Sequence, residues 1–219
     1  MTVGDPSGFA IQSDIITAFE RRLLLAHGCF GVHIGGQRYG DDDPDAAMLL
    51  ADAFGEIGFR LSRRGCHTAP FASEPDVGRI AAAYQDAYRD PVWAPEREKE
   101  RFFGLSQEEF RDLIESNHCA WGDFDDFVFS DRSEVLHFDV GDRVRLIAFK
   151  CTEPDWHHDP ASLADVWLEA GAFYRILEKW RDAFEAEWTA APKIKKSEDG
   201  AESYVKAKHP FAWDRISWD

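Results

Sequence analysis

The first forty residues have the two-residue hydrophobic period that is typical of β-strands. Residues 8–16 and 29–34 are rich in β-branched and aromatic side chains, which suit a pleated and half-buried surface. Gly35 and Gly36 separate the second run from residues 37–39, and a pair of glycines accepts the positive φ angles of a tight hairpin turn. This part of the chain therefore predicts an antiparallel sheet made of hairpins.

Helical periodicity follows, because apolar residues recur three or four positions apart in three separate segments. The first segment begins after Asp43, which can cap a helix that has Pro44 at its first position. The second has an approximate capping signal at Ser73, and the third is preceded by the capping box of Ser106 and Glu109. These patterns predict helices over residues 44–57, 74–88 and 106–117.

A second group of strands and a long helix are predicted for the following part of the chain. Residues 144–149 are almost continuously apolar, which favours a strand that is buried on both faces. Shorter strands are predicted over residues 127–129 and 135–140, and a polar loop over residues 155–160. Apolar residues then recur with a helical period over residues 162–189, which predicts the longest helix of the chain.

This order of elements predicts an α+β fold. We expect an antiparallel sheet of hairpins packed with three to four helices, including a long C-terminal helix. The simplest organisation is a single domain over residues 1–192, followed by a tail over residues 193–219. The tail is rich in lysine at first, and Trp213 and Trp218 lie near its end. Disordered tails rarely carry such large apolar side chains, so we expect the tail to dock on the domain.

The charge balance narrows the range of partners. The 219 residues include 41 acidic and 25 basic side chains, so the formal net charge is −16. Such a surface repels nucleic-acid phosphates and anionic lipid headgroups, whereas it attracts and steers cationic partners. The alternative explanation is that the charge serves solubility alone.

Three features favour a cytoplasmic location. No lysine or arginine precedes Arg21, so the N-terminal segment lacks the pattern of a signal peptide. No apolar run approaches the roughly 20 residues of a membrane span. The four cysteines are widely spread and form no C-x-x-C pair, which favours free thiols in a reducing compartment over disulfides or a zinc site.

Common catalytic and cofactor signatures are missing from the sequence. It contains no G-x-G-x-x-G, P-loop, G-x-S-x-G or H-E-x-x-H pattern, so we predict no cofactor. Two weaker candidates stay open. His157 and His158, which are flanked by acidic residues, offer the ligand types that suit zinc or iron. Cys119, next to His118, offers a thiol nucleophile.

Acidic residues are concentrated in predicted turns that also carry aromatic rings. From Ala120 to Asp142, seven acidic residues accompany one arginine, and the same segment holds several aromatic side chains. Charge steers a cationic partner and buried rings supply binding energy, so these turns predict a protein-binding surface. The alternative is a set of acidic turns flanked by core aromatics. The expected contact residues are Asp41, Asp42, Asp43, Asp123, Asp125, Asp126, Asp155 and Asp159, with Trp121 and Trp156 as aromatic anchors.

Four segments carry a family resemblance. The most specific is the opening run Gly4-Asp5-Pro6-x-x-Phe9-Ala10-Ile11, and two others are Gly31–Gly36 with the following Tyr39 and the strand pair Phe138–Phe149. The fourth is the apolar stripe of the final helix, from Phe173 to Trp180. Together these segments resemble the Imm42-type immunity proteins of bacterial polymorphic toxin systems. The resemblance covers the two β regions and the final helix.

The resemblance implies a non-catalytic immunity protein that binds and neutralises the C-terminal domain of a cognate secreted toxin. It implies no catalytic residues. Gly4 and Pro6 would set a turn, and Phe9 and Ile11 would anchor a strand.

The acidic charge favours one class of target. A nuclease or nucleic-acid deaminase that acts in the cytosol has a cationic groove, which an acidic partner can fill. An NAD-consuming or ADP-ribosylating toxin is a further candidate. The alternatives are a small cytosolic enzyme with a loop site near Cys119 or near His157 and His158, and an acidic nucleic-acid mimic that binds many basic proteins.

Overall fold

A computed structural model describes residues 1–20, 25–88, 99–122, 129, 131–152 and 157–194 of the chain. Within these ranges, ten strands form two sheets and four α-helices pack against the sheets. The predicted α+β class is therefore confirmed. None of the helices in these ranges combines the length and the apolar character that a membrane crossing requires.

The first sheet is built around a long antiparallel hairpin. Its strands are β2 (Phe9–Phe19) and β3 (Ala26–Ile34), and their register places Phe9 opposite Ile34. Short strands extend the sheet on both sides. β1 (Thr2–Gly4) and β10 (Lys193–Ile194) pair with β2, whereas β4 (Gln37–Tyr39) and β5 (Met48–Leu49) pair with β3.

The turn between β3 and β4 confirms the hairpin predicted from two adjacent glycines. Gly35 and Gly36 have φ angles of 60° and 84°, a left-handed conformation that glycine adopts without steric cost. β10 runs parallel to β2, so the first two residues of the predicted C-terminal tail lie on the sheet. The rest of the tail, residues 195–219, lies outside the described residues.

The second sheet has one central strand that is covered on both faces. β7 (Arg143–Thr152) pairs in antiparallel fashion with its three neighbours. Val144 and Leu146 point toward the first sheet, whereas Ile147 and Phe149 point the other way. This double burial confirms the expectation for residues 144–149. The neighbours are β6 (Ser133–Val140), β8 (His157–His158) and β9 (Ala164–Glu169).

Two hydrophobic cores lie on opposite faces of the second sheet. The first core fills the space between the two sheets, and the apolar sides of α1 (Leu50–Ser62) and α4 (Ala170–Ala190) complete it. The second core lies under α2 (Val77–Tyr88) and α3 (Gln107–Ser116), where Phe71 stacks on Phe110 with 4.9 Å between ring centroids. The second sheet therefore acts as a layer shared by both cores.

The first and the last predicted helices start six or more residues later than the periodicity indicated. Asp43 does cap a turn that begins with Pro44, but this 3-10 turn ends at Ala46, and the helix begins only at Leu50. Between them, β5 pairs with β3, so sheet pairing overrides the helical pattern. In the same way, residues 164–169 of the predicted final helix form β9, because their alternation matches the register of β7.

Smaller differences concern one cap and one strand. The predicted helix over residues 74–88 begins at Val77, and its first turn is capped by Asp76, whose carboxylate accepts the Arg79 N–H at 3.1 Å, rather than by Ser73. The capping box of Ser106 and Glu109 is present as predicted. Residues 127 and 128 of the short predicted strand lie outside the described residues.

A buried polar cluster links α1, β6 and α4. Arg60 is fully buried; its Nε donates to Glu56 at 2.6 Å, and its guanidinium also donates to Nδ1 of His137 at 3.0 Å. The hydroxyl of Tyr174 donates to the carboxylate of Asp139 at 2.8 Å. Buried ionic groups are tolerated only when they are paired in this way, so the cluster fixes how these three elements meet.

Candidate interaction surface

The acidic turn at residues 41–43 lies at the surface between β4 and the 3-10 turn. The Asp41 side chain accepts the backbone N–H of Asp43 at 2.9 Å, and the Asp43 side chain accepts that of Asp45 at 3.0 Å. These bonds order the local backbone. The side chain of Asp42 is 78% exposed. The turn therefore presents closely spaced carboxylates to solvent.

The acidic loop, defined here as residues 40–47, is held on the outer face of the first sheet by its carbonyl groups. Arg38 donates to the carbonyl oxygens of Gly40 and Asp41, the latter at 2.9 Å. Further along the loop, Nε2 of His27 lies 3.0 Å from the carbonyl oxygen of Ala47. Sγ of Cys29 lies 3.6 Å from the carbonyl oxygen of Asp43. Side chains of β3 and β4 thus fix this loop from below.

An ion pair connects the acidic loop to the turn at Asp159. Asp131 accepts the Gly40 N–H at 3.1 Å, and Nζ of Lys150 lies 2.7 Å from the other oxygen of that carboxylate. The carbonyl of Lys150 in turn accepts the N–H of Asp159 at 2.9 Å. Asp159 caps a 3-10 turn through its side chain, which accepts the Ala161 N–H at 2.9 Å. Asp131 and Lys150 therefore link Gly40, which precedes the acidic turn, to the turn at Asp159.

Electrostatics keep Asp131 ionised within this arrangement. Burial is the largest influence and raises its pKa, but the hydrogen bonds from Lys150 and Ser133 outweigh burial. The pKa of Asp131 consequently lies below its ordinary value. A carboxylate that stays charged holds both Gly40 and Lys150 over the physiological pH range.

Trp121 does not lie on this surface. It is 3% exposed and belongs to the first core, with the Arg60 guanidinium 4.9 Å from its ring centroid and Phe9 against its edge. Its ring fills space in the core beside the buried polar cluster. This packing role explains why an aromatic residue lies next to an acidic segment. Trp121 is therefore a core residue and not an anchor of the interaction surface.

Several expected contact residues fall on parts of the chain that the structure does not describe. They stay predictions from the sequence. These residues are Asp123, Asp125, Asp126, Asp155 and Trp156.

The two candidate reactive sites, at His157 and His158 and at Cys119, lie outside the acidic loop. His157 is exposed and His158 half-buried, because adjacent residues of β8 point to opposite faces. Cys119 is buried with its thiol 3.8 Å from the carbonyl oxygen of Thr68, and the ring of His118 packs against Phe59 at 4.3 Å between centroids. In the described part of the chain, no group of three or more histidine, cysteine or acidic residues is arranged to hold a metal ion.

Sequence inspection missed the residues that hold the surface in place. Arg38 gives no motif, and its role follows only from the pairing of β4 with β3, which sets its side chain across Gly31. Asp131 and Lys150 are 19 positions apart and meet because β6 pairs with β7. An isolated arginine between a glycine turn and an acidic run is the single local signal that could have drawn attention to this region.

Comparison with known proteins gives a family match and a structural match. Residues 1–183 match the model of the family Imm42, described as immunity protein 42. The crystal structure of CdiI from Burkholderia dolosa AUO158 superposes with a TM-score of 0.50 and 14% sequence identity, covering 84% of this chain and 99% of that one. At this identity the likeness concerns the fold. No curated protein matches the chain.

Proposed function

Because this chain belongs to the Imm42 family of immunity proteins, we propose that it neutralises its cognate toxin domain through the acidic loop and the adjoining turn at Asp159. Immunity proteins act by binding their toxin, so the chain is an inhibitor and not an enzyme. The alternative of a catalytic site at Cys119, His157 or His158 is therefore set aside. We propose that this inhibition takes place in the cytosol.

One observation carries the location of the surface. Asp42 and Asp43 are exposed on a loop whose carbonyl groups accept hydrogen bonds from Arg38, while the carboxylates of Asp41 and Asp43 accept backbone N–H groups of the same loop. A set of charges that is ordered before binding loses little conformational entropy when a partner docks. The net charge of −16 steers a cationic partner toward such a surface.

The charge also indicates the class of toxin. A domain that binds nucleic acid has arginine and lysine side chains placed to contact phosphates. Carboxylates of an inhibitor can occupy the same positions and exclude the substrate. We propose a nuclease or a nucleic-acid deaminase as the cognate toxin.

Co-expression tests the function itself. The probe is the C-terminal toxin domain encoded by the reading frame adjacent to that of this chain. We expect growth arrest when the domain is produced alone, rescue when this chain is produced with it, and co-purification of the two. Failure of both rescue and co-purification would refute the proposed function.

Charge neutralisation tests the location. In a triple variant with Asp41→Asn, Asp42→Asn and Asp43→Asn, the side-chain oxygens that order the turn remain, but three charges are lost. We expect the dissociation constant for the toxin domain to rise at least about tenfold. A matched control neutralises three exposed acids elsewhere, by Glu108→Gln, Asp112→Asn and Asp182→Asn on α3 and α4. Equal losses in both variants would contradict the assigned location.

A further inference from the structure

Arg38 is a basic side chain of β4 that lies beneath the acidic turn at residues 41–43. Its side chain is 21% exposed, and its guanidinium donates to two carbonyl oxygens of the acidic loop. The nearest carboxylate with which it forms an ion pair, that of Asp42, is 3.9 Å away and 78% exposed. The arginine therefore binds the backbone of the loop while leaving the charge of the loop available.

Strand β3 leaves room for this guanidinium at Gly31. A Cβ atom at Gly31 would lie 3.1 Å from a terminal nitrogen of Arg38 and 2.8 Å from the carbonyl oxygen of Tyr39. Contacts this short between a side chain and a backbone oxygen require the neighbouring strand to shift. Gly40 is equally confined: its φ is 98°, and a Cβ there would lie 2.6 Å from the carbonyl oxygen of Phe30. The missing side chain at Gly31 thus leaves space for Arg38 between β3 and the loop.

We propose that Arg38 is a positioning residue for toxin binding, which fixes the acidic loop in its binding conformation by a forked hydrogen bond to the Gly40 and Asp41 carbonyls. Gly31 is the position that makes room for it. The planar guanidinium suits this task, since it presents several N–H donors in a fixed geometry, which a lysine ammonium does not. The effect of Arg38 on toxin binding rests on the proposed function. The ordering of the acidic loop by Arg38 is a property of the free protein.

Electrostatics alone predict the opposite outcome, which makes the proposal testable. If Arg38 mattered only through its charge, Arg38→Gln would make the surface more acidic and tighten binding to a cationic toxin. Arg38→Lys would then leave binding unchanged. If Arg38 acts by positioning, both substitutions weaken binding, because both remove the forked hydrogen bond.

The first experiment measures the loop in the free protein. Amide hydrogen exchange of residues 40–47 is compared between the unmodified chain and the variants Arg38→Gln, Arg38→Lys and Gly31→Ala. We expect exchange in the loop to be at least about tenfold faster in each variant. Arg181→Gln on α4, which removes one positive charge elsewhere, serves as the matched control and should leave the loop unchanged. Unchanged exchange in the Arg38 variants would overturn the proposal.

The second experiment measures binding to the toxin domain encoded by the adjacent reading frame. We expect Arg38→Gln and Arg38→Lys to raise the dissociation constant about tenfold or more, while the thermal unfolding midpoint of the free protein stays close to that of Arg181→Gln. Tighter binding of Arg38→Gln with unchanged binding of Arg38→Lys would overturn the proposal. Absence of binding by the unmodified chain would refute the proposed function instead, and the exchange experiment would still decide the role of Arg38.

Discussion

Among the described residues, the buried arginines Arg60 and Arg145 each have several hydrogen-bond partners. Arg60 illustrates the point, because its guanidinium contacts the Glu56 carboxylate, the His137 imidazole and the carbonyl oxygens of His118 and Ala120. Together these bonds compensate for removing a permanent cation from water. Removal of one member of the cluster would leave another member buried without its partner, which destabilises the folded protein.

A double-mutant cycle tests this dependence. We expect Arg60→Ala to destabilise the protein by about 3–5 kcal/mol, because Glu56 would remain buried without its cation. Glu56→Gln alone should cost less, and the double variant should lose less than the sum of the two. The free energy of unfolding in urea is the measurement. Additive losses would show that the two side chains do not depend on each other.

Histidine burial predicts a dependence of stability on pH. Burial is the main cause that lowers the pKa of His137 to about 3 in the folded protein, and it also lowers the pKa of His67. The unfolded chain takes up these protons near pH 6.5, the folded chain only at lower pH. Stability should therefore fall as the pH drops from about 6.5 toward 4, by up to about 1.4 kcal/mol per pH unit for each histidine.

Urea unfolding between pH 4 and pH 7 measures this slope, and nitrogen chemical shifts of the imidazoles report which rings stay neutral. Asp139 titrates elsewhere: burial, the largest influence, raises its pKa, but the His137 imidazole 3.6 Å away and the hydrogen bond from Tyr174 hold the pKa at about 2. Its contribution is lost only below about pH 4, outside the histidine window. A flat profile above pH 4 would contradict the prediction.

Individual elements differ in how much their own sequence determines them. α3 has a complete capping box, in which Ser106 accepts the Glu109 N–H at 3.2 Å and Glu109 accepts the Ser106 N–H at 2.7 Å. These bonds are local in sequence, so the start of α3 was predicted correctly. The local signal predicted to start α1, Asp43 followed by Pro44, begins only a 3-10 turn, and pairing with strands β3 and β7 moved the first turns of α1 and α4 by several residues.

The cap of α3 gives a prediction at this scale. Ser106→Ala should destabilise the protein by about 1 kcal/mol, because the backbone N–H of Glu109 in the first turn of the helix loses the hydroxyl that accepts it. Ser116→Ala provides the control: this hydroxyl contacts only the Leu113 carbonyl of its own helix, at 3.5 Å, and its removal should change little. Thermal unfolding of the two variants measures the difference. Equal effects would mean that the capping box contributes nothing specific.

At the scale of the whole molecule, a net charge of −16 affects the rate of association more than the fold. If the cognate toxin is cationic, its association rate constant should fall about tenfold or more between 50 mM and 500 mM salt, because screening removes the steering force. The dissociation rate constant should change much less. Stopped-flow measurements with the toxin domain separate the two rate constants. An association rate that is independent of salt would contradict electrostatic steering.

The sequence by itself determined the α+β class, the hairpin at Gly35, the doubly buried strand β7 and the capping box of α3. Each depends on hydrophobic period or on bonds between residues a few positions apart. Its motifs also identified the Imm42 family, which the match over residues 1–183 confirmed.

Only the tertiary structure decided which polar residues are interior and which are exposed. It placed Trp121 in the core, set Arg38 under the acidic loop and joined Asp131 to Lys150. These relations depend on strand register, and register follows from how whole faces pack together and not from any short stretch of the chain.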